Sequence, residues 1–239
     1  MSEVRLLEKI EAAARAQRLP LFSAPRLAHR PYCTDDPATG LRIRGCEQAL
    51  RHSHIQANTP ALRFRLVFDI DRPGAIFAAE DANVAPPNWF GENPDNGHAH
   101  AGYELEIPIV TSESGRDAPV RYAAAVEYAY RRALGADVGY SGLICKNPTH
   151  ERWWTHIHRI EPYDLGELAE WVDLPTKLTP RQAEETHLGR NVRLFDGLRH
   201  WAYRNVKRYE RRAEWSLACH AKAGELNRGH RGSAFVSFG

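Results

Sequence analysis

The chain has 239 residues, of which 43% are hydrophobic and 26% are charged, and its formal net charge is +2. These proportions are typical of a folded globular protein and exclude a disordered or fibrous chain. No apolar run approaches the roughly 20 residues of a membrane-spanning helix, and the charged N-terminus lacks the pattern of a secretory signal. We therefore expect a cytoplasmic protein without a membrane partner.

The elements before residue 62 are predicted to be short. Residues 2–18 fit one amphipathic helix. The stretch from there to residue 40 is rich in proline and turn residues, which predicts a long loop. The segment "LRIRG" predicts a short strand, and "CEQALRHSHI" predicts a short helix.

The stretch "LRFRLVFDIDRPGA", residues 62–75, predicts a strand because apolar residues occupy every second position. Its other face carries Asp69 and Asp71, about 7 Å apart along the strand. Carboxylates at this spacing can lean onto a pair of divalent cations, and oxygen ligands suit Mg²⁺ or Mn²⁺. Two such metals are the usual apparatus of nucleotidyl transfer, although a solvated surface strand would also accept both acids.

The stretch "HAHAGYELEIPIV", residues 98–110, predicts a second strand in which His98, His100, Gly102 and Glu104 share one face. A histidine that opens a strand after a glycine turn can donate a hydrogen bond to a nucleotide phosphate. The alternatives are a pair of surface histidines or a metal site with two histidine ligands.

A third acid should complete the metal site. Residues 118–135 predict a helix that ends at Gly135, and Asp137 follows it. The strand-like segment after it leads to Lys146 and Asn147, which we expect to bind the nucleotide, and a lysine beside carboxylates suits a phosphate. Asp164 is the alternative third acid, although it also fits as the N-cap of the helix "LGELAEWV". We prefer Asp137.

The C-terminal quarter is basic. Residues 173–191 predict a linker, and residues 192–226 predict a long helix. Residues 179–239 contain 12 Lys or Arg against 6 Asp or Glu, whereas residues 1–178 contain 20 against 24. A solvated helical face would explain these charges, but basic side chains away from the packing stripe could contact DNA phosphates. These are Arg199, Arg204, Lys207, Arg208 and Arg211.

The non-alternating order of strands and helices predicts an α+β fold. We expect a catalytic domain at residues 1–176 and a small helical domain at residues 179–239. The four cysteines never form a C-x-x-C pair, which favours free thiols over a disulfide framework. A metal site of Cys33, Cys46 and a histidine is the alternative.

Several motifs together resemble a known family. They are "PYCTDD", "IQANTP", "LVFDIDRPGA", "NPDNGHAHAGYEL", "ADVGYSGLICKNPTH" and "GRNVRLFDGLRHWAYR". In this order they look like the replicase family of plasmid replication initiators, of the colicin-E-plasmid type. That family lies within the archaeo-eukaryotic primases and primase-polymerases. The resemblance extends from about residue 30 to residue 210.

The resemblance implies an archaeo-eukaryotic primase-like catalytic domain, an RRM-like sheet with helices, followed by an all-α primase C-terminal domain. It implies a plasmid replication initiator that makes a short RNA primer from nucleoside triphosphates on origin or single-stranded DNA, for a host DNA polymerase to extend. Asp69 and Asp71 match the first motif. His100 matches the second, with His98 in its small-residue slot, and Asp137 best matches the third. Family members usually carry a further C-terminal origin-binding domain, whereas this sequence stops soon after the helical region; we therefore expect a truncated chain or a variant that finds DNA otherwise.

Three other functions remain open from the sequence. A primase-polymerase would use deoxynucleotides in the same fold. A DNA-binding initiator without catalysis would have no reason to keep like-charged carboxylates together. A metal-dependent nuclease could use the same acids, and it would cut DNA without nucleoside triphosphates.

Overall fold

The computed structural model describes residues 26–112, 115–186, 188, 197–198 and 201–228. The helix expected at residues 2–18 lies outside these residues. Within the described ranges, no helix combines the length and the apolar character needed to cross a membrane.

The described ranges contain eight strands and several helices. The strands are β1 Tyr32–Thr34, β2 Arg42–Ile43, β3 His54–Gln56, β4 Leu62–Ile70, β5 Trp89–Glu92, β6 Ala99–Val110, β7 Ile144–Lys146 and β8 Trp154–Ile157. The α-helices with described bounds are α1 Cys46–Ala49, α2 Ala78–Asp81, α3 Asp117–Leu134, α4 Leu165–Ala169, α5 Pro180–Glu184 and α6 Arg212–Arg228. Short 3₁₀ helices lie at Pro37–Thr39, Ala75–Phe77 and Val206–Arg208.

The strands form two antiparallel sheets. The first has the order β2-β1-β3-β7 and the second has the order β4-β6-β5-β8. Strands and helices are therefore mixed without βαβ alternation, which confirms the α+β class. The strands of the first sheet are two or three residues long, whereas β4 has 9 residues and β6 has 12.

The second sheet is buried on both faces. Phe68 and Ile70 of β4 pack into a core with α3, and this is the apolar face that the alternation predicts. On the other face, Val67 and Trp89 pack against buried residues of the first sheet, such as Ile55. The layers are thus helices, second sheet and first sheet, and Asp69 lies on the face between the two sheets because it alternates with Phe68 and Ile70.

A bulge interrupts the pairing of β4 between Arg63 and Arg65. The side chain of Asn58 satisfies backbone groups at this bulge. Its Oδ1 accepts hydrogen bonds from the N–H groups of Phe64 and Arg65, at 2.8 and 3.0 Å. Its Nδ2 donates to the carbonyl of Arg65 at 3.0 Å. The side chain of Asn58 is thereby used in holding the bulge.

Helix α3 covers the second sheet. Val126, Tyr130 and Leu134 are buried along one stripe, as the 3.6-residue period predicts. The helix ends at Gly135, which has φ of +62° and satisfies the last turn with its N–H.

The linker expected at residues 173–191 is packed against α3 and the core beneath it as far as it is described. Thr179 and Gln182 form a reciprocal capping box at the start of α5. Gln182 donates to the hydroxyl of Tyr128 on α3 at 3.1 Å, and Leu188 is fully buried in the core beneath α3. The linker interpretation is therefore wrong at residues 178–188, and the two-domain division at 176–179 stays a prediction.

The long C-terminal helix is interrupted. Residues 201–205 are helical, a 3₁₀ turn follows at Val206–Arg208, and Tyr209 is extended before α6 begins. Trp201 stacks on Trp215 with ring centroids 5.7 Å apart, and Tyr209 contacts the same ring. Burying these aromatic faces against each other favours a helical hairpin over one continuous helix.

Candidate metal and nucleotide site

Three aspartates from separate places in the chain converge at one edge of the second sheet. Asp69 lies near the end of β4, Asp71 lies just beyond it, and Asp137 follows α3. Each offers a carboxylate oxygen, and these oxygens all lie within 4.8 Å of one another. Among the Asp, Glu, His and Cys side chains that the structure describes, these three aspartates are close enough together to hold a metal ion.

Backbone contacts fix the position of Asp137. Its N–H donates to the carbonyl of Asp69 at 2.8 Å, and its own carbonyl accepts a hydrogen bond from the buried guanidinium of Arg131. Its Oδ1 also accepts the N–H of Gly139 at 2.8 Å. The loop after α3 is thereby attached to the end of β4.

Asp164, the alternative third acid, has a structural role. Its Oδ1 accepts the N–H of Gly166 at 2.7 Å and caps α4. The acidic group at the sheet edge therefore contains Asp137 and not Asp164.

His100 lies directly opposite Asp69 in the strand register. Its Nδ1 accepts the N–H of Lys146 at 3.1 Å, so the neutral ring carries its proton on Nε2. Nε2 lies 3.1 Å from Oδ1 of Asp69. Burial, followed by the charge of Lys146, lowers the pKa of His100. His100 is thus a neutral donor that faces the acidic group.

Asp69 Oδ1 is a buried oxygen with open coordination. The contact with His100 is not aligned as a hydrogen bond, and this oxygen accepts none from the described residues. Nζ of Lys146 lies 3.8 Å away. Burial alone would raise the pKa of Asp69, but His100 and Lys146 outweigh it and hold the pKa below its usual value. A buried ionised oxygen beside two further carboxylates fits a hard divalent cation.

His98 and Asp71 form the outer part of the site. Nδ1 of His98 lies 3.2 Å from Oδ1 of Asp71, and both side chains are partly open to solvent. His98 precedes β6, so it is held by the turn: its N–H donates to the side chain of Asn96.

A model of the Replicase family matches residues 26–172, which is more than half of the chain. The chain belongs to the Replicase family. The resemblance stated from the motifs is therefore confirmed. The match of this replicase covers all three aspartates, both histidines and Lys146.

A comparison of this replicase with curated proteins finds no match. Among solved structures, the AEP domain of a primase-polymerase from cyanophage S-2L is similar, with 10% sequence identity and a TM-score of 0.43. The similarity covers 60% of this chain and 88% of that chain. A likeness this distant carries no functional argument.

Asn147 of the replicase does not face a nucleotide. It is fully buried. Its Nδ2 donates to the carbonyls of Leu50 and His52, both at 2.9 Å, and its Oδ1 accepts from the N–H and hydroxyl of Thr149. The amide therefore joins the loop after α1 to the loop after β7, and its polar atoms are used within the fold.

A cationic group beside the site was not predicted. The ring of the buried Trp153 is approached by His54, with ring centroids 5.2 Å apart, by the guanidinium carbon of Arg152 at 4.8 Å, and by Nζ of Lys146 at 5.9 Å. His54 is about 100 residues from Trp153 in the chain, so its place in the group could not be read from a local pattern. It extends the positive charge of Lys146 away from the carboxylates.

The basic residues proposed to contact DNA are partly described. Arg204, Lys207, Arg208 and Arg211 are all exposed, and they surround the turn of the C-terminal hairpin. Arg199 lies outside the described residues. Trp154, on the edge strand β8, is 57% exposed, whereas Trp89 and Trp153 are buried.

Proposed function

We propose that this replicase is a plasmid replication initiator with primase activity, which joins nucleotides by Mg²⁺- or Mn²⁺-dependent nucleotidyl transfer. One observation carries the proposal: Asp69, Asp71 and Asp137 bring carboxylate oxygens within 4.8 Å of one another. Negative charges this close repel each other, and divalent cations remove that repulsion. Two cations held by these three carboxylates would suit in-line phosphoryl chemistry.

Each side chain of the site has a role in this reaction. Asp69, Asp71 and Asp137 are the metal ligands. In the tautomer that Lys146 imposes, the Nε2–H of His100 donates a hydrogen bond to a phosphate oxygen of the incoming nucleotide. Lys146 offsets the charge of the triphosphate, and His98 contributes at the outer edge.

The reaction joins two positioned nucleotides. The 3′-oxygen of the first nucleotide forms a bond to the α-phosphorus of the second, the bond from that phosphorus to pyrophosphate breaks, and the hydroxyl proton passes to solvent. The cations would neutralise the triphosphate and favour ionisation of the 3′-hydroxyl. The protein contributes position and charge, since no side chain is needed as a general base.

The template and partners follow from the family and from the charge distribution. Membership of the Replicase family supports an origin or single-stranded DNA template. The basic hairpin turn supports contacts with its phosphates. The product would be a short RNA primer that a host DNA polymerase extends.

The test is a primer-synthesis assay with single-stranded origin DNA, labelled ATP with the other nucleoside triphosphates, and Mg²⁺ or Mn²⁺. We expect short labelled products that disappear with a chelator and fall at least 100-fold in Asp69→Asn, because a metal ligand is lost. Asp95→Asn, an exposed aspartate in the turn before β6, is the control and should keep full activity.

The same assay separates the alternatives. Products formed preferentially from deoxynucleotides would identify a primase-polymerase. DNA binding without any product would identify an initiator without catalysis, and cleavage of labelled DNA without nucleotides would identify a nuclease. Full activity in Asp69→Asn would contradict the proposed site.

A further inference from the structure

A buried ion pair lies directly behind the third carboxylate. Glu127 and Arg131 are one turn apart on α3, their side chains are almost fully buried, and Nη2 of Arg131 lies 3.3 Å from Oε1 of Glu127. Burying two charges is costly unless other groups also satisfy them. The contacts of this pair therefore indicate what it is positioned to do.

The cationic end of the pair holds Asp137. Nη1 of Arg131 donates to the backbone carbonyl of Asp137, while the N–H of the same residue donates to the carbonyl of Asp69. Both backbone polar groups of Asp137 are thus fixed, one by α3 and the other by β4. The carboxylate carried by this fixed backbone lies in the acidic group with Asp69 and Asp71.

The anionic end of the pair holds the chain that leads into the C-terminal region. Oε2 of Glu127 accepts the N–H of the buried Leu188 at 3.2 Å. A continuous series of polar contacts therefore runs from Leu188 through Glu127 and Arg131 to Asp137.

We propose that Glu127 and Arg131 are positioning residues, which hold the Asp137 carboxylate in its metal-binding place and tie it to the segment before the C-terminal region. This rests on the proposed function only for the role of the metal. Groups that orient a metal ligand from behind contribute to affinity without touching the ion, and losing them typically weakens binding 10- to 100-fold.

The test uses the full chain with the double substitution Glu127→Gln and Arg131→Met, which removes both charges of the pair together. Val126→Ala is the matched control, since Val126 is fully buried on the same helix and its truncation weakens packing without touching the ion pair. The conservative single variant Arg131→Lys keeps a cation beside Glu127. It should therefore lose less Mn²⁺ affinity than the double variant.

Two measurements are made on each variant. The first is Mn²⁺ affinity by electron paramagnetic resonance, where we expect about 10-fold weaker binding in the double variant and no change in Val126→Ala. The second is hydrogen exchange of the Asp137 amide without metal, compared with amides of β4 and β6. We expect selective acceleration in the double variant and only uniform acceleration in the control.

The outcomes separate the two proposals. The positioning role would be overturned if the double variant and Val126→Ala had the same exchange rate at the Asp137 amide and the same Mn²⁺ affinity. A wild-type chain that binds no Mn²⁺ would overturn the metal-dependent function instead, and the exchange of the Asp137 amide would still decide whether Glu127 and Arg131 position this residue.

Discussion

His100 shows how a single backbone contact sets the chemistry of a side chain. The N–H of Lys146 occupies Nδ1, so the ring presents a donor, and not an acceptor, to the acidic group. Asp69 would repel the phosphates of a nucleotide in the absence of a cation. A donor at this place therefore complements the phosphates once the carboxylate charge is neutralised.

His100→Asn should weaken nucleotide use without preventing folding. The asparagine oxygen can still accept the N–H of Lys146, but the Nε2 donor is lost. We expect kcat/KM for the nucleotide to fall about 10- to 100-fold, as for a hydrogen bond to a charged group, with DNA affinity unchanged. Steady-state kinetics measures this. An unchanged kcat/KM would rule out the contact with the nucleotide, and His156→Asn on β8 is the matched control.

His54 predicts a pH dependence of stability. Burial, then electrostatic interaction with His100, Lys146 and Arg152, lowers the pKa of His54 to about 4. Between pH 6.5 and pH 4 the unfolded chain binds a proton at this residue that the folded chain does not, so stability falls as the pH falls through this window and is retained above it. Because the ring is partly open to solvent, we expect about 1 to 2 kcal/mol of loss.

Urea unfolding of wild type and His54→Gln at several pH values measures this contribution. The stability of the variant relative to wild type should rise as the pH falls from 6.5 to 4. His29→Gln, at an exposed histidine, should follow the wild-type curve. A constant difference between wild type and His54→Gln across this window would show that His54 does not contribute.

At the scale of elements, Gly102 of β6 lies directly opposite Trp89 of the neighbouring strand β5. A Cβ at Gly102 would lie 2.1 Å from the ring of Trp89, which is fully buried between the sheets. The ring has no room to move there, because Nε1 of Trp89 donates to the buried Glu104 at 3.0 Å. Gly102 is therefore required for the two sheets to pack, as well as for the strand itself.

Gly102→Ala should destabilise the protein by about 3 kcal/mol through overpacking. Gly45→Ala is the control, because a Cβ there meets no atom within 4 Å and the residue begins α1, where the change costs less than about 1 kcal/mol. The free energies of unfolding from denaturant titrations compare the two. Equal stability losses would show that the contact with Trp89 is relaxed in solution.

The long elements were predictable and the short ones were less so. Strands β4 and β6 and helix α3 each carry a hydrophobic period over many residues, so their buried faces follow from the sequence. The first sheet consists of strands of two or three residues, and β3 pairs with β7 about 90 residues away. Such pairing leaves no local period to detect, so the burial of the Asp69 face by the first sheet could not be foreseen.

The site was predictable where family motifs mark it and not where tertiary contacts decide. Asp69, Asp71 and His100 follow from adjacent positions on two strands. The choice between Asp137 and Asp164 depends on the hydrogen bond from Asp137 to β4, which no spacing reveals. The role of Arg131 had only a weak signal in the sequence. Arg131 and Glu127 form an i,i+4 charged pair on a buried helix face, where charged residues are unusual.

At the scale of the whole molecule, acidic and basic functions are separated along the chain. The acidic group lies at the edge of the second sheet, and the exposed basic side chains cluster at the C-terminal hairpin turn. A chain with this division can bind a nucleic-acid backbone through its basic region while its acidic region performs metal-dependent chemistry.

Removing the charges of the hairpin turn should weaken DNA binding in a salt-dependent way. For the quadruple change of Arg204, Lys207, Arg208 and Arg211 to Gln, we expect the slope of log K against log salt to fall by about 2 to 3, at about 0.7 for each phosphate contact with single strands. Fluorescence anisotropy with single-stranded DNA measures the slope.

The matched control for this change removes four exposed charges elsewhere. Its positions are Arg116, Arg121, Arg132 and Lys177, all exposed, each changed to Gln. Equal slopes in the two quadruple variants would show that the hairpin turn is not the DNA contact.

The most direct test of the acidic group is nucleotide incorporation with Mn²⁺ by Asp137→Asn compared with Asp164→Asn. Both replace an exposed aspartate, but Asp137 lies among the three converging carboxylates and Asp164 caps a helix. We predict at least a 100-fold loss of incorporation in Asp137→Asn and near wild-type incorporation in Asp164→Asn. Full activity in Asp137→Asn, or a loss confined to Asp164→Asn, would contradict the metal site proposed for this replicase.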